Sequence, residues 1–446
     1  MRHRIVLRIA LIALAPIAGL ATLSLTIGQT PPAPKPVTPG LPQPFVDPQV
    51  KPASANVPST AGRPTVAAPA STQGPDLAKL PPATRDAYLA AQRGAEWLHR
   101  MNLPDGRFVT GWIPALNIPL DGDSFVHQAG ATFALAHAAK FFNDERYTLR
   151  ARQSVLTLMA LTRVDPASPG QRTTILPPLV ANRMASNGFV LMAMHELPSP
   201  AADLLQQGEE LCHYIRSRQR GDGSLAVSDD PAVADDPASM RQHAAIALAG
   251  LMASQKHRPM PWKTEVVRKA LPYYQAQFKA KPSAIMVPWM VVAYSDLFMR
   301  TKDSACANFV MEMCDYACTL QYDLTETRHG AWRGGFRDDG ESAMLTAPSV
   351  VSSALVMAIA EACQVCKVGG ADAGRLNRYR SVAAAGATFL TTLQYTESNT
   401  LYFSTAYRQV LSGGFHGSHQ DGNLRIDYNQ HAICALIPYL AYVADR

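Results

Sequence analysis

The densest group of chemically capable side chains lies near the C-terminus: His416, His419, Asp421, Arg425, Asp427, Tyr428, Asn429 and His431. Tyr428 and His431 are three residues apart, so a helix would place them on one face. Arg425 would fall just before that helix, where backbone N–H groups also favour an anion. A base, a cation and an acid in this order suit removal of a proton next to a carboxylate. His431, Tyr428 and Arg425 are therefore candidate catalytic residues, joined by His127 and Asp123 from an earlier stretch of similar sequence. A plainer reading stands beside this one: Asp427 as a helix cap and His431 as a satisfied core histidine. His416-x-x-His419-x-Asp421 has loop-metal character, but two histidines and one acid fall short of a full ligand set. No metal or cofactor is expected.

The similar stretches are His127-Gln128-Ala129-Gly130-Ala131, Gln242-His243-Ala244-Ala245 and Asn429-Gln430-His431-Ala432. Each follows a residue fit to cap a helix: Ser124 or Asp123, Asp236 before Pro237, and Asp427. Asp427 with Gln430 has the form of a capping box, and Asp236-Pro237 that of an N-cap followed by proline. Polar groups at such helix starts would gather at one end of a helical assembly. This nominates Gln128, Asn182, Arg183, Arg241, Gln242, His243 and Asn429 as ligand-binding residues. Trp112, Trp332 and Tyr407 fall in the preceding loops, where rings can stack on a ligand. Any one of these can equally be a cap or a core residue. The recurrence can also reflect a hydrogen bond repeated between neighbouring helices through Gln128, Gln242 and Gln430.

Helical periodicity positions these residues. Amphipathic helices are predicted over 84–102, 144–162, 200–220, 262–279, 303–322 and 375–395, with charges on one face. They alternate with segments that are apolar nearly all round: 124–141, 182–197, 236–253, 283–299, 348–363 and 427–443. The second set belongs inside, against the first. Twelve helices in alternating roles predict a closed (α/α)6 ring of six outer and inner helix pairs over residues 83–446. The turns leading to inner helices also rhyme: Asp105-Gly106-Arg107-Phe108, Asp222-Gly223-Ser224-Leu225, Gly334-Gly335-Phe336 and Gly413-Gly414-Phe415.

This pattern resembles the toroids of the terpene cyclase and protein prenyltransferase β-subunit superfamily, where a helix ending in Gln precedes such a turn. Gln219 before Gly223 and Gln394 before Gly413 are similar, whereas the turn at Asp105-Gly106 lacks the Gln. The resemblance implies the (α/α)6 toroid and does not fix an activity. A cyclase of this type would need a D-x-D-D segment, and the chain has only Asp121-Gly122-Asp123 and the Asp229-Asp230 and Asp235-Asp236 pairs. The Asp, Cys and His zinc ligands of a prenyltransferase have no matching triplet. Other toroids act on carbohydrates, and Arg425-x-Asp427-Tyr428 has a weaker resemblance to a segment of glucuronyl C5-epimerases. That resemblance implies a uronate epimerase or lyase. A hydrolase would instead need two carboxylates, for which Asp338, Asp339 and Glu341 are available, with Asp121 or Asp123 opposite. A non-catalytic toroid that binds a glycan or protein partner is the rival class.

The chain has 446 residues, 34 of them proline, and a formal charge of +6 from 41 Lys+Arg against 35 Asp+Glu. Arg2, Arg4 and Arg8 precede an apolar run from Ile9 to Ile27, the pattern of a signal peptide or an N-terminal anchor over 1–28. Residues 29–82 then hold nearly half the prolines and read as an extended, disordered linker. Export is expected, with a cell-envelope glycan or envelope protein as partner and membrane contact only through an uncleaved N-terminus. Removing residues 1–28 takes three Arg and no acid, leaving 38 against 35. A nucleic-acid surface is not indicated. Seven cysteines leave at least one unpaired, and Cys306 is the candidate partner of Cys363 or Cys366.

Overall fold

A computed structural model of the chain describes residues 75–175, 183–228, 237–323, 325–339, 347–371 and 373–444. The signal or anchor, most of the linker, Asn182 and Asp236 lie outside these residues.

The twelve predicted helices are all present, with ends shifted by a few residues. Six are outer: α1 (Pro82–Met101), α3 (Glu145–Ala160), α5 (Ala202–Ser217), α7 (Pro261–Ala280), α9 (Ser304–Thr319) and α11 (Ala373–Thr392). Six are inner: α2 (Phe125–Phe142), α4 (Arg183–Glu196), α6 (Pro237–Ser254), α8 (Val287–Thr301), α10 (Ala354–Gly369) and α13 (Ile426–Tyr442). Each inner helix packs on the next, and α13 packs on both α10 and α2, which closes the ring. The fold is an (α/α)6 toroid. Its sixth pair, α13 with α1, joins the last and the first helix of the ring.

Small residues set the ring's tightness. At the α4–α6 crossing, a Cβ on Gly188 would lie 2.4 Å from the Ile246 carbonyl oxygen. Only hydrogen fits there, so the two backbones touch. Alanines fill most other inner contacts, and the inner helices are buried on most faces, as a helix apolar all round requires.

The rhyming turns have one shared geometry. Gly106, Gly223, Gly334 and Gly413 all have positive φ, between 83° and 91°. In each case an amide from the end of the outer helix donates to the glycine's carbonyl. Gln219 Nε2 reaches Gly223 O at 3.2 Å, Gln321 reaches Gly334 O at 2.9 Å and Gln394 reaches Gly413 O at 3.0 Å. The three glutamines also donate to the next outer helix, at Val266 O, Val382 O and Ala90 O. The first turn does not lack its amide: Asn102 Nδ2 donates to Gly106 O at 3.2 Å and to Ser154 Oγ on α3 at 2.9 Å. Each lock therefore ties one outer helix to its neighbour.

Short strands were not predicted. A four-stranded antiparallel sheet runs in the order β2 (Ile118–Pro119), β1 (Gly111–Ile113), β6 (Asp421–Arg425), β5 (His416–Ser418). Pairing of Gly111 with Arg425 and of Trp112 with Leu424 staples the first long loop to the last. A two-stranded hairpin, β3 (Thr162–Val164) with β4 (Arg172–Thr174), and a short helix α12 (Thr405–Leu411) complete the strands and α-helices among the described residues.

Three local expectations are corrected. Asp427 does not cap α13. Arg425 occupies the N-cap position, and Asp427 lies in the first turn with its carboxylate on the Arg425 guanidinium. Ser124 is the N-cap of α2 but its hydroxyl caps nothing, while Asp123 Oδ1 accepts from Gln128 Nε2. All seven cysteines are free thiols. Cys306 stands at the foot of α9, whereas the thiols within electrostatic reach of Cys363 and Cys366 include Cys314, higher on the same helix.

Candidate functional site

The staple between β1 and β6 places Arg425 at the seam of the ring, at the end where the inner helices begin. Its guanidinium donates to both carboxylate oxygens of Asp427, at 2.8 and 2.9 Å, and lies over the Tyr428 ring, 5.0 Å from its centroid. His127, from the start of α2, points Nε2 at Asp427 Oδ2 from 3.9 Å. Tyr428 donates to Asp421 Oδ2 at 3.3 Å. Four of the five proposed catalytic residues, His431, Tyr428, Arg425 and His127, thus share one neighbourhood.

Their electrostatics differ from what proton abstraction needs. Burial pushes the His431 imidazolium down to about 4, and the nearby His127 and Arg425 charges add to this against Asp427. His431 is neutral at physiological pH, and its buried Nδ1 has no hydrogen-bond partner. Burial also lowers His127. Burial raises the Tyr428 phenol against the opposing pull of Arg425, so it stays protonated. Arg425, expected to hold an anion, is already closed by a bidentate carboxylate.

Beside this seam the ring encloses a cavity of about 420 Å³. Ile285, Pro288, Trp289, Phe336, Val351 and Leu355 supply an apolar wall. Gln242, Arg337, Asp338, Asp339, His431, Ser349 and Ser352 supply the polar groups. Such a mix of apolar wall and few convergent polar groups is usual for a ligand site. Asp339 is fixed in place: its Oδ2 accepts from Tyr316 OH at 2.8 Å and from the Ala284 N–H. Asp338 is exposed at the wall. A smaller pocket of about 290 Å³, lined by Arg107, Thr110, Asp121, Asp123 and Gln128 among others, holds the fifth proposed catalytic residue.

The nominated binding residues divide. Gln242 lines the cavity, while Arg241 and His243 beside it do not, and Arg183 stands half-buried at the start of α4. Gln128 clamps the Phe108 backbone at both N–H and carbonyl, 2.8 Å each. Asn429 accepts from the Phe415 N–H at 3.3 Å and donates to Arg425 O at 3.1 Å. These two amides hold the long loops in place, and no bond passes directly between Gln128, Gln242 and Gln430. Trp332 is buried under His329, stacked at 3.8 Å, so its face is closed to a ligand. Tyr407 donates to Pro114 O, bracing the β1–β2 turn near Trp112. Trp289, Ile285 and Val351 were not singled out from sequence, because an apolar residue on an inner helix reads as core.

No family model matches the chain, and no curated protein matches it. Several solved structures share its fold. An inactive variant of an α-1,6-mannanase from Salegentibacter sp. HEL1_6, in complex with α-1,6-mannotriose, has a TM-score of 0.52 at 10% identity, covering 80% of this chain and 99% of that one. An unsaturated glucuronyl hydrolase from Bacillus sp. GL1, responsible for glycosaminoglycan degradation, has a TM-score of 0.56 at 11% identity, covering 81% and 98%. The unsaturated glucuronyl hydrolase of Streptococcus agalactiae has a TM-score of 0.55 at 11% identity, covering 80% and 92%. At these identities the likeness is one of fold.

Proposed function

We propose that this chain is an exported glycan hydrolase that takes an oligosaccharide into the central cavity. The observation that carries this reading is the consecutive pair Asp338 and Asp339 in the wall of an otherwise apolar cavity, with neutral His431 on the same lining. The mannanase of similar fold is inactive when two consecutive aspartates are replaced, which supports looking to such a pair. Asp339, held by Tyr316 and Ala284, would fix the segment after Phe336. Asp338 would donate its proton to the glycosidic oxygen as the C–O bond breaks, and would take a proton back from the water that adds to the sugar. Neutral His431 lies on the same lining, and Pro288 and Trp289 give the apolar sugar face a floor. An epimerase or lyase fits less well, because Arg425 is closed, Tyr428 is protonated and His431 is a weak base. A terpene-type reaction is not favoured, since the apolar wall carries no D-x-D-D acid.

The test is incubation of the purified chain with a panel of oligosaccharides, with products followed by mass spectrometry. Hydrolysis is expected, and Asp338→Asn should reduce it by about 10² or more while leaving binding within a few-fold. Equal turnover in the variant would remove Asp338 from the reaction. The second reading, a glycan-binding toroid without turnover, is favoured by the double hydrogen bond that already occupies Asp339. Recovery of bound glycan intact would decide for it.

A further inference from the structure

The lining of the cavity is divided in its capacity for hydrogen bonds. One continuous stretch, residues 347–355, contributes Ala347, Pro348, Val351, Ala354 and Leu355. The two serines of that stretch that line the cavity are engaged in a turn: Ser352 Oγ donates to Ser349 O at 2.6 Å, and Ser349 Oγ accepts from the Ser352 N–H at 3.3 Å. Ile285, just before α8, adds to the apolar lining. Ile285 and Val351 are 41% and 39% exposed, whereas Trp289 and Phe336 are 3% and 1% exposed. An entering group therefore meets open aliphatic side chains and nearly closed rings. The other polar groups come from different segments. Asp339 already accepts from Tyr316 OH and the Ala284 N–H, and Arg337 donates to Thr319 O at 2.9 Å. Gln242, Asp338 and His431 complete the polar lining among the described residues.

Each sugar hydroxyl that is buried needs a partner, and one left unpaired against an apolar wall weakens binding. Gln242, Asp338, Asp339 and His431 can serve the hydroxyls of a sugar ring. The stretch 347–355 cannot serve a further ring, because its side chains are apolar or already bonded. The same stretch gains by covering methylene groups, since contact removes apolar surface from water on both sides. Building on the glycan reading above, we infer that the cavity takes a glycoside bearing an aliphatic chain, with the sugar at Asp338 and Asp339 and the chain against Ile285 and Val351.

Isothermal titration of the full chain with methyl α-mannopyranoside, hexyl α-mannopyranoside and hexanol tests this. The hexyl glycoside should bind at least about tenfold more tightly than the methyl glycoside. Its heat-capacity change should also be more negative, as apolar burial requires. Val351→Thr and Ile285→Thr, each at an exposed position, should each weaken the hexyl glycoside by about threefold or more and leave the methyl glycoside as it was. Leu401→Thr, at a residue that is 66% exposed and outside the cavity lining, should change neither. A hexyl glycoside that binds no better than the methyl glycoside would overturn the inference and leave the glycan reading intact. Hexanol binding as tightly as the hexyl glycoside would show that the sugar contributes nothing, and would overturn both.

Discussion

At the scale of single residues, the seam of the ring shows how close a sequence reading can come and where it stops. Arg425, Asp427, Tyr428 and His431 were identifiable because polar residues crowd a short stretch before an apolar helix. Their partners were not, since Arg425 pairs with the residue two positions on and not with an incoming anion. That pairing also controls His431, because Asp427 opposes the downward push on its imidazolium. Asp427→Asn should therefore leave a half-buried guanidinium with one weaker partner. The expected cost is about 2 kcal/mol, seen as a lower midpoint in urea unfolding with unchanged slope. His431 should titrate at still lower pH in the variant, which NMR of its ring protons would follow. An unchanged midpoint and an unchanged titration would show that the pair is only a surface contact.

At the scale of elements, the helices were legible because alanine-rich inner segments and amphipathic outer segments differ in composition along their whole length. The strands were not, because two- to five-residue strands carry no period to detect. The turns fall between these cases. Their glycines were visible as a rhyme, but the partner amide was recognised at two turns of four. Asn102 escaped because it is one carbon shorter than Gln, whereas Gln321, 13 residues before Gly334, carries the same signal as Gln394, 19 residues before Gly413. The locks should contribute measurably to the ring. Gln394→Ala would remove the bonds to the Gly413 carbonyl and to the Ala90 carbonyl, the second already shared within α1, and so cut the tie between α11 and α1. A loss of about 2 kcal/mol is expected. Gly413→Ala should cost more, because φ is +89° and the new Cβ would lie 2.4 Å from Arg93 O. Reversal of that order in thermal unfolding would mean that the amide, not the glycine, sets the turn.

At the scale of the whole molecule, the two ends of the ring carry opposite designs. At the seam beside the cavity, Arg425 and Asp427 are paired and His431 is neutral. At the other end, where the inner helices finish, three carboxyl groups converge from different helices. Glu196 on α4 is bonded by His137 at 3.0 Å and Lys140 at 2.8 Å. Burial works against its charge, but these partners outweigh burial and hold it down at about 2. Asp296 on α8 pairs with Arg300 at 2.7 Å, although burial still raises it. Glu361 on α10 has no such partner. Burial, then the charges of Asp296 and Glu196, push its carboxyl up to about 7. Tyr442 on α13 faces the same group, and Lys367 is turned away to the Tyr442 carbonyl. The signs follow from linkage. Glu361 binds its proton more tightly folded than unfolded, so its contribution is full below about 4.5 and is lost as pH rises to about 7. Glu196 behaves oppositely, and its contribution is lost as pH falls from about 4.5 towards 2. The Glu361 contribution should thus decline between about pH 5 and pH 7, against the rise that His431, neutral when folded, gives over the same range, so it is read as the difference in thermal midpoint between the chain and its Glu361→Gln variant. Glu361→Gln keeps the shape and removes the proton, so it should flatten that decline and raise stability at pH 8 by on the order of 2 kcal/mol. The same midpoints in Glu196→Gln should retain the decline, because its charge is only the third cause of the Glu361 shift. A variant Glu361→Gln that still weakens across pH 5 to 7 would place the titrating group elsewhere in the ring.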